Sequence, residues 1–138
     1  MSTTHEPLGG EGAARQQPKR SAAAERAIAG EELACKHLAT LNYRIVKRNF
    51  RYGRQGEIDI VCYDAATLVF VEVKTRSDHS HGAPEASVDA RKQAQLKRIA
   101  RMYYYVNGLQ DVACRFDVIA VEFIGNRSDL RHHKNAFF

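Results

Sequence analysis

The sequence lacks the features that mark several large classes of protein. It contains no apolar run near the ~20 residues of a membrane helix, and residues 1–20 hold no apolar stretch typical of a signal peptide. It has no glycine-rich phosphate loop, which argues against nucleotide hydrolysis. Its three cysteines form no Cys-x-x-Cys pair, which disfavours a zinc ribbon or a disulfide framework. We therefore expect a cytoplasmic protein without a membrane partner.

The length and composition favour one globular domain. The chain has 138 residues, of which 44% are hydrophobic and 27% charged. Residues 1–21 are polar and rich in glycine and proline, which predicts a mobile N-terminal tail. Residues 126–138 stay polar until the last two positions, so we interpret them as a C-terminal tail and place the domain over 22–125. A formal net charge of +5 is compatible with a polyanionic partner.

Hydrophobic periodicity predicts two helices and four strands. The helices are predicted over 22–40 and 87–107, and the strands over 43–52, 57–63, 67–75 and 113–123. A short link between the second and third strands favours a hairpin. The order of helix, three strands, helix and strand predicts an α/β fold in which helices pack on a mixed sheet.

Two acids and a lysine stand out in the predicted hairpin. Side chains alternate along a strand, so Glu72 and Lys74 continue an otherwise apolar row. If Ala65 and Ala66 form the turn, Asp59 lies directly opposite Glu72. Two carboxylates ~4 Å apart repel by about 1 kcal/mol in water and about 4 kcal/mol at an effective dielectric of 20. A cation such as Mg²⁺ or Mn²⁺ would turn this repulsion into attraction, and Lys74 could activate a water or hold a phosphate oxygen.

A structural interpretation of these acids is equally open from spacing alone. Glu57 and Lys74 could form a plain cross-strand ion pair. Asp59 and Glu72 could lie at an exposed end of the sheet. A third acid, Glu31, lies within the apolar stripe of the first helix, so we expect it to face the sheet or its rim.

Several motifs in this order resemble the YraN-like family of small bacterial proteins. The main ones are the runs 56–60 (Gly-Glu-Ile-Asp-Ile) and 70–76 (Phe-Val-Glu-Val-Lys-Thr-Arg). The remaining matches are Gly30-Glu31 with Ala34 and Leu38, Asn49-Phe50-Arg51, Lys92-Gln93 and Arg115-Phe116-Asp117. The resemblance covers residues 30–121. That family is similar to archaeal Holliday-junction resolvases of the PD-(D/E)XK nuclease superfamily.

The resemblance implies a restriction-endonuclease-like core and a set of catalytic roles. Asp59 and Glu72 would share a Mg²⁺ or Mn²⁺ ion, Lys74 would orient the attacking water, and Glu31 would be the acid carried by the helix. The implied activity is metal-dependent endonucleolytic cleavage of DNA, with branched or single-stranded structures in recombination or repair as candidate substrates. Related resolvases act as homodimers, so a homodimer is an open alternative.

Basic residues cluster in the first strand and the second helix. Nucleic-acid binding needs such a positive surface, because phosphates supply most of the affinity. The candidate phosphate contacts are Arg44, Lys47, Arg48, Arg51, Arg54, Arg76 and Lys92. For any one of them a solvated surface position is the plainer interpretation. The alternative function is a catalytically silent nucleic-acid-binding module that keeps the nuclease fold.

Two further groups of residues are interpreted as structural and not as functional. His132 and His133 lack the helical spacing of a zinc site, so we interpret them as surface histidines. Tyr103, Tyr104 and Tyr105 could stack on bases, but consecutive residues point in different directions around a helix, and we expect at least one in the core.

Overall fold

A computed structural model describes residues 18–77 and 82–138 of the chain. The helices are α1 (Ala22–Thr40), a short 3₁₀ helix (Pro84–Ser87) and α2 (Ala90–Val106). The strands are β1 (Arg44–Arg51), β2 (Glu57–Asp64), β3 (Thr67–Arg76), β4 (Cys114–Ile124) and β5 (Arg127–Phe137). The predicted α/β class is confirmed. The predicted tail over 1–21 lies mostly outside the described residues.

The strands form one mixed sheet with a helix on each face. They lie in the order β1-β2-β3-β4-β5, with β3 and β4 parallel and every other pair antiparallel. On one face, Ala34 and Leu38 of α1 pack against residues such as Ile119. On the other face, Leu96 and Ile99 of α2 pack in a separate core. A parallel neighbour requires a crossover connection, and the segment containing α2 supplies it.

Helix α1 packs closely on the sheet because its contact face is small. The Ser21 hydroxyl caps the helix by accepting a hydrogen bond from the N–H of Ala24, at 3.1 Å. A Cβ atom on Gly30 would collide with the side chain of Thr75 on β3, so only glycine permits this approach. Helical spacing predicts that Ile28 shares the buried stripe of α1, but this residue is 43% exposed.

Helix α2 begins later than the sequence predicts. Asp89 caps it by accepting a hydrogen bond from the N–H of Lys92 at 2.9 Å, and the preceding turn is 3₁₀. The buried residues are Leu96, Ile99, Ala100 and Tyr103. The prediction that at least one of the three tyrosines lies in the core is therefore confirmed. Helical spacing predicts that Val106 shares the buried stripe of α2, but this residue is 55% exposed.

The predicted C-terminal tail over 126–138 is wrong, since most of it forms β5 on the edge of the sheet beside β4. The side chain of Phe137 is buried and stacks on Phe116, with ring centroids 4.9 Å apart. His132 is also not a surface residue, because its side chain is 7% exposed and contacts the fully buried Asp117.

No helix in the described ranges is long and apolar enough to cross a membrane.

Candidate metal and nucleic-acid site

The predicted hairpin register is confirmed along most of its length. β2 and β3 pair from Asp64↔Thr67 to Ile60↔Val71, which is the register that would place Asp59 opposite Glu72. The ladder ends one step earlier, at Ile60. Asp59 instead accepts a hydrogen bond from the N–H of Val73 at 2.8 Å through its Oδ2 atom. The carboxylate thus links the two strands beyond the end of the ladder and lies close enough to Glu72 for the two charges to repel each other.

The sheet bends at the position that carries Asp59. Ile60 packs in the core on the α1 side, whereas Ile58, two residues away, packs in the core on the α2 side. Residues two apart in a regular strand share a face, so β2 twists strongly at Asp59. On the neighbouring strand, Asn49 adopts a positive φ of 53°, which is uncommon outside glycine. Asp59 therefore lies at the point where β2 passes from the core on the α2 side to the core on the α1 side.

Glu72 is buried and only partly neutralised. The residue is 5% exposed. Its Oε1 atom lies 3.5 Å from the Nζ atoms of both Lys74 and Lys92. Its Oε2 atom is buried and has no hydrogen-bond partner. A buried carboxylate oxygen without a partner is costly, so a ligand that contacted this atom would be strongly favoured.

The electrostatics of Asp59 reflect this crowding of acids. Burial raises the pKa of Asp59 well above its usual range, and the nearby charge of Glu72 raises it further. The hydrogen bond from Val73 opposes the shift without cancelling it. Glu31 and Glu57 add smaller repulsive contributions in the same direction. Without a cation, this group of acids therefore favours a bound proton on Asp59.

Glu31 lies at the rim of the same group, as the sequence predicts. Its side chain is 15% exposed, and its Oε1 atom lies 3.6 Å from Arg48 Nη2. Burial raises the pKa of Glu31, and the charge of Arg48 only partly offsets this effect. The same arginine pairs with the exposed Glu32 at 2.7 Å. Glu31 therefore faces the sheet, and Glu32 faces solvent.

The donor set suits a hard cation that retains part of its own hydration. Mg²⁺ takes one or two carboxylates and completes its shell with water and substrate phosphate. Asp59 and Glu72 provide two such carboxylates, and the unpartnered Oε2 atom of Glu72 provides an available donor. Within the part of the chain that is described, no three His, Cys, Asp or Glu side chains form a ready-made metal cage. Any ion here would depend on water and substrate for its remaining ligands.

The alternative ion pair between Glu57 and Lys74 is not formed. Glu57 instead accepts a hydrogen bond from Arg51 at 3.0 Å, and Lys74 contacts Glu72. The alternative that Asp59 and Glu72 lie at an exposed sheet end fails for Glu72, because that residue is buried.

The structure distributes the predicted basic residues over more than one place. Lys92 reaches Glu72 from α2, and the Nε atom of Arg76 is buried without a hydrogen-bond partner. Arg44 lies at the far end of β1, where it stacks on Tyr63 with 5.0 Å between Cζ and the ring centroid. The side chains of Arg48 and Arg51 pair with glutamates, while Lys47 and Arg54 are exposed. Their contact with nucleic acid stays a prediction.

One positioning residue, Gln95, was not found from the sequence. Its side-chain amide donates a hydrogen bond to the carbonyl oxygen of Gln55 at 2.6 Å. A Cβ atom on Gly56, which has a φ of 114°, would collide with the same amide. Gln95 thus holds the turn that leads into β2 and Asp59. A glutamine on a helix carries no signal of this role, because the contact spans 40 residues of sequence.

The segment that holds these residues corresponds to a known sequence family. Residues 30–121 match the uncharacterised protein family UPF0102. The chain belongs to this family. The match begins at Gly30 and spans Glu31, Asp59, Glu72 and Lys74. The resemblance to the YraN-like family is therefore confirmed.

Individual UPF0102 proteins are similar over most of their length. One from Geobacter sulfurreducens is 45% identical over 111 residues, which cover 80% of this chain and 86% of the relative. One from Moorella thermoacetica is 48% identical over 92 residues, which cover 67% of this chain and 76% of the relative. One from Chlorobaculum tepidum is 42% identical over 116 residues, which cover 78% of this chain and 88% of the relative. The UPF0102 match over residues 30–121 thus includes most of α1, the strands β1 to β3, α2 and most of β4, whereas β5 lies beyond it.

Proposed function

We propose that this UPF0102 protein is a metal-dependent endonuclease that hydrolyses phosphodiester bonds of DNA. The observation that carries the proposal is the buried carboxylate of Glu72, which has one oxygen without a partner, lies 3.5 Å from Lys74 and repels the charge of Asp59. Carboxylates that repel each other at a buried rim destabilise the fold, and perturbed acids of this kind are typical of functional sites. A role in binding a cation explains why they are present.

Each residue has a distinct task in this proposal. Asp59 and Glu72 would hold Mg²⁺ or Mn²⁺, which would supply charge neutralisation at the phosphate and a more acidic water. The ammonium group of Lys74 would orient the attacking water for in-line displacement. A bond would form between the water oxygen and phosphorus while the bond from phosphorus to the leaving sugar oxygen breaks; the water would release a proton to solvent and the leaving oxygen would take up a proton from solvent. Lys92, also beside Glu72, would hold a non-bridging phosphate oxygen.

Glu31 would act from the helix side of the site. Its carboxylate lies close enough to raise the pKa of Asp59 but makes no hydrogen bond through its buried Oε1 atom. This placement suits a group that accepts a hydrogen bond from a metal-bound water. The hydrolysis itself needs no other co-reactant than water.

The test is a cleavage panel with single-stranded, duplex, flap and four-way DNA, each with and without Mn²⁺. We expect Asp59→Asn and Glu72→Gln to lower the cleavage rate by on the order of a hundredfold or more, because each removes a carboxylate that holds the ion. Glu25→Gln, which removes an exposed acid from α1, should cleave like wild type. Asp59→Asn keeps an oxygen that can accept the Val73 hydrogen bond, so its melting temperature without metal should not fall.

A catalytically silent binding module is the second candidate. It is favoured by the contact of Glu72 with both Lys74 and Lys92, since two ammonium groups can neutralise an acid without a metal. In that case wild type binds DNA, cleaves none of the substrates, and shows no Mn²⁺-dependent change in melting temperature. Cleavage by wild type that the two acid variants abolish would exclude this candidate.

A further inference from the structure

A cavity of about 280 Å³ lies beside the turn between β1 and β2. It is lined by Tyr52, Gln55, Arg98, Arg101 and Met102. Its walls thus combine an aromatic ring, a thioether and two guanidinium groups. The roles proposed above for the acids and Lys92 use none of these five residues.

The lining residues are available for a ligand. Tyr52 is 40% exposed, and its ring makes no aromatic or cation–π contact with any other described residue. Arg98 and Arg101 are exposed and form no ion pair within the described parts of the chain. Two unpaired arginines that share a cavity with a partly exposed aromatic ring are poorly explained by stability, because they place positive charges next to each other and leave the ring incompletely buried.

The distance from the acids to the cavity, measured along one side of α2, corresponds to the length of a few nucleotides. Lys92, Gln95, Arg98 and Met102 follow each other at spacings of three and four residues. At a rise of 1.5 Å per residue, Arg98 and Met102 lie about 9 and 15 Å along the helix from Lys92, which contacts Glu72. A nucleic-acid strand covers that distance in a few nucleotides at about 3.4 Å or more each. Gln95 also fixes the turn that carries the cavity, through Gln55.

We propose that this cavity is a subsite for one unpaired base, in which Tyr52 stacks on the base and Arg98 and Arg101 hold the adjacent phosphates. The proposal rests on the nucleic-acid binding proposed above and adds the substrate class. Every base has a π-face, so stacking on tyrosine tolerates any sequence. A base within a duplex is already paired and stacked between its neighbours, so it enters only at the additional free-energy cost of unpairing and unstacking. The subsite therefore makes the protein selective for a single-stranded segment beside the Asp59–Glu72 site.

Binding in EDTA tests the subsite separately from cleavage. The probes are a fluorescent single strand of about 12 nucleotides and a blunt duplex of the same length. Tyr52→Ala and Tyr52→Leu should weaken single-strand binding about tenfold and duplex binding less than twofold, because only the single strand offers a base to the ring. Tyr52→Phe keeps the ring and should bind like wild type. Tyr105→Ala removes a more exposed tyrosine of α2 that does not line this cavity, and should also bind like wild type.

The salt dependence of binding tests the role of Arg98 and Arg101 separately. Replacing both Arg98 and Arg101 with alanine should reduce the slope of log affinity against log salt by about 0.7 per phosphate contact on single strands. Lys36→Ala, on the exposed side of α1, should leave the slope unchanged.

Each outcome separates the subsite from the nuclease. Unchanged single-strand binding by Tyr52→Ala, or an equal loss on both probes, overturns the subsite alone. Failure of wild type to bind either probe at low salt overturns the subsite together with the proposed function. Selective loss for Tyr52→Ala supports the subsite even if wild type cleaves nothing.

Discussion

At the scale of single residues, Gly30 and Glu31 show how packing positions chemistry. Gly30 is a poor helix former, about 1 kcal/mol less favourable than alanine in a helix interior. Gly30 lies where α1 contacts Thr75 of β3. The next residue in the helix is the acid Glu31. The close approach allowed by glycine thus sets the distance between that carboxylate and the sheet.

Gly30→Ala should destabilise the protein by about 1–3 kcal/mol, because the added methyl group overlaps the Thr75 side chain and forces α1 outward. Urea unfolding measures the change. The double variant Gly30→Ala/Thr75→Ala removes the overlapping methyl group and should recover most of the loss. Additive destabilisation by the two substitutions would show that the contact does not set the helix position.

At the scale of elements, β5 decides whether the chain beyond residue 125 belongs to the domain. A polar strand with few apolar residues carries a weak sequence signal, since only a few of its side chains meet the core. The strand is held by a buried polar network instead. His132 contacts Asp117 at 2.8 Å and His37 of α1 at 3.0 Å. Burial alone would raise the pKa of Asp117, but hydrogen bonds from His132 and Arg115 outweigh burial and lower it.

The two terminal phenylalanines provide a matched pair that tests β5. Phe137 is 8% exposed and stacks on Phe116, whereas Phe138 is 87% exposed. Phe137→Ala should lower the free energy of unfolding by about 3–5 kcal/mol. Phe138→Ala should change it by less than about 0.5 kcal/mol. Similar small effects of both substitutions, measured by thermal or urea unfolding, would indicate a tail rather than a strand.

At the scale of the whole molecule, ion pairs connect the crossover segment to the sheet edge. Glu85 of the 3₁₀ helix accepts two hydrogen bonds from Arg131 of β5, at 2.8 and 3.0 Å. The same arginine donates to the buried Glu122 of β4 at 2.7 Å. The hydrogen bonds from Arg131 lower the pKa of Glu85 to about 2. The 3₁₀ helix that precedes α2 is therefore held to β5 by an ion pair.

The ion pair between Glu85 and Arg131 predicts that the free energy of unfolding falls in acid. A carboxyl group with a depressed pKa in the folded state stabilises fully above its unfolded value of about 4.3 and loses that contribution as the pH falls towards its folded value. The stability difference between wild type and Glu85→Gln should thus be larger at pH 6 than at pH 3. Chemical unfolding at both pH values measures it. A difference that stays constant would show that the Glu85–Arg131 contact contributes no net charge stabilisation.

Sequence patterns are sufficient to predict the elements that have a clear hydrophobic periodicity or a short connecting turn. Helix α1, the hairpin of β2 and β3, and the register that brings Asp59 towards Glu72 follow from local periodicity and a short turn. The approximate position of Glu31 follows for the same reason. These features depend on neighbours in sequence, so local rules suffice to predict them.

The remaining features depend on contacts between elements that are distant in sequence. The bend at Asn49 and Asp59, the buried His132 network and the contact of Gln95 with Gln55 join residues that are far apart along the chain or depend on paired strands. Their energies come from burial and from hydrogen bonds that exist after the layers have packed. Polar residues that become buried in this way look like surface residues in a sequence, because their partners are supplied by other elements of the fold.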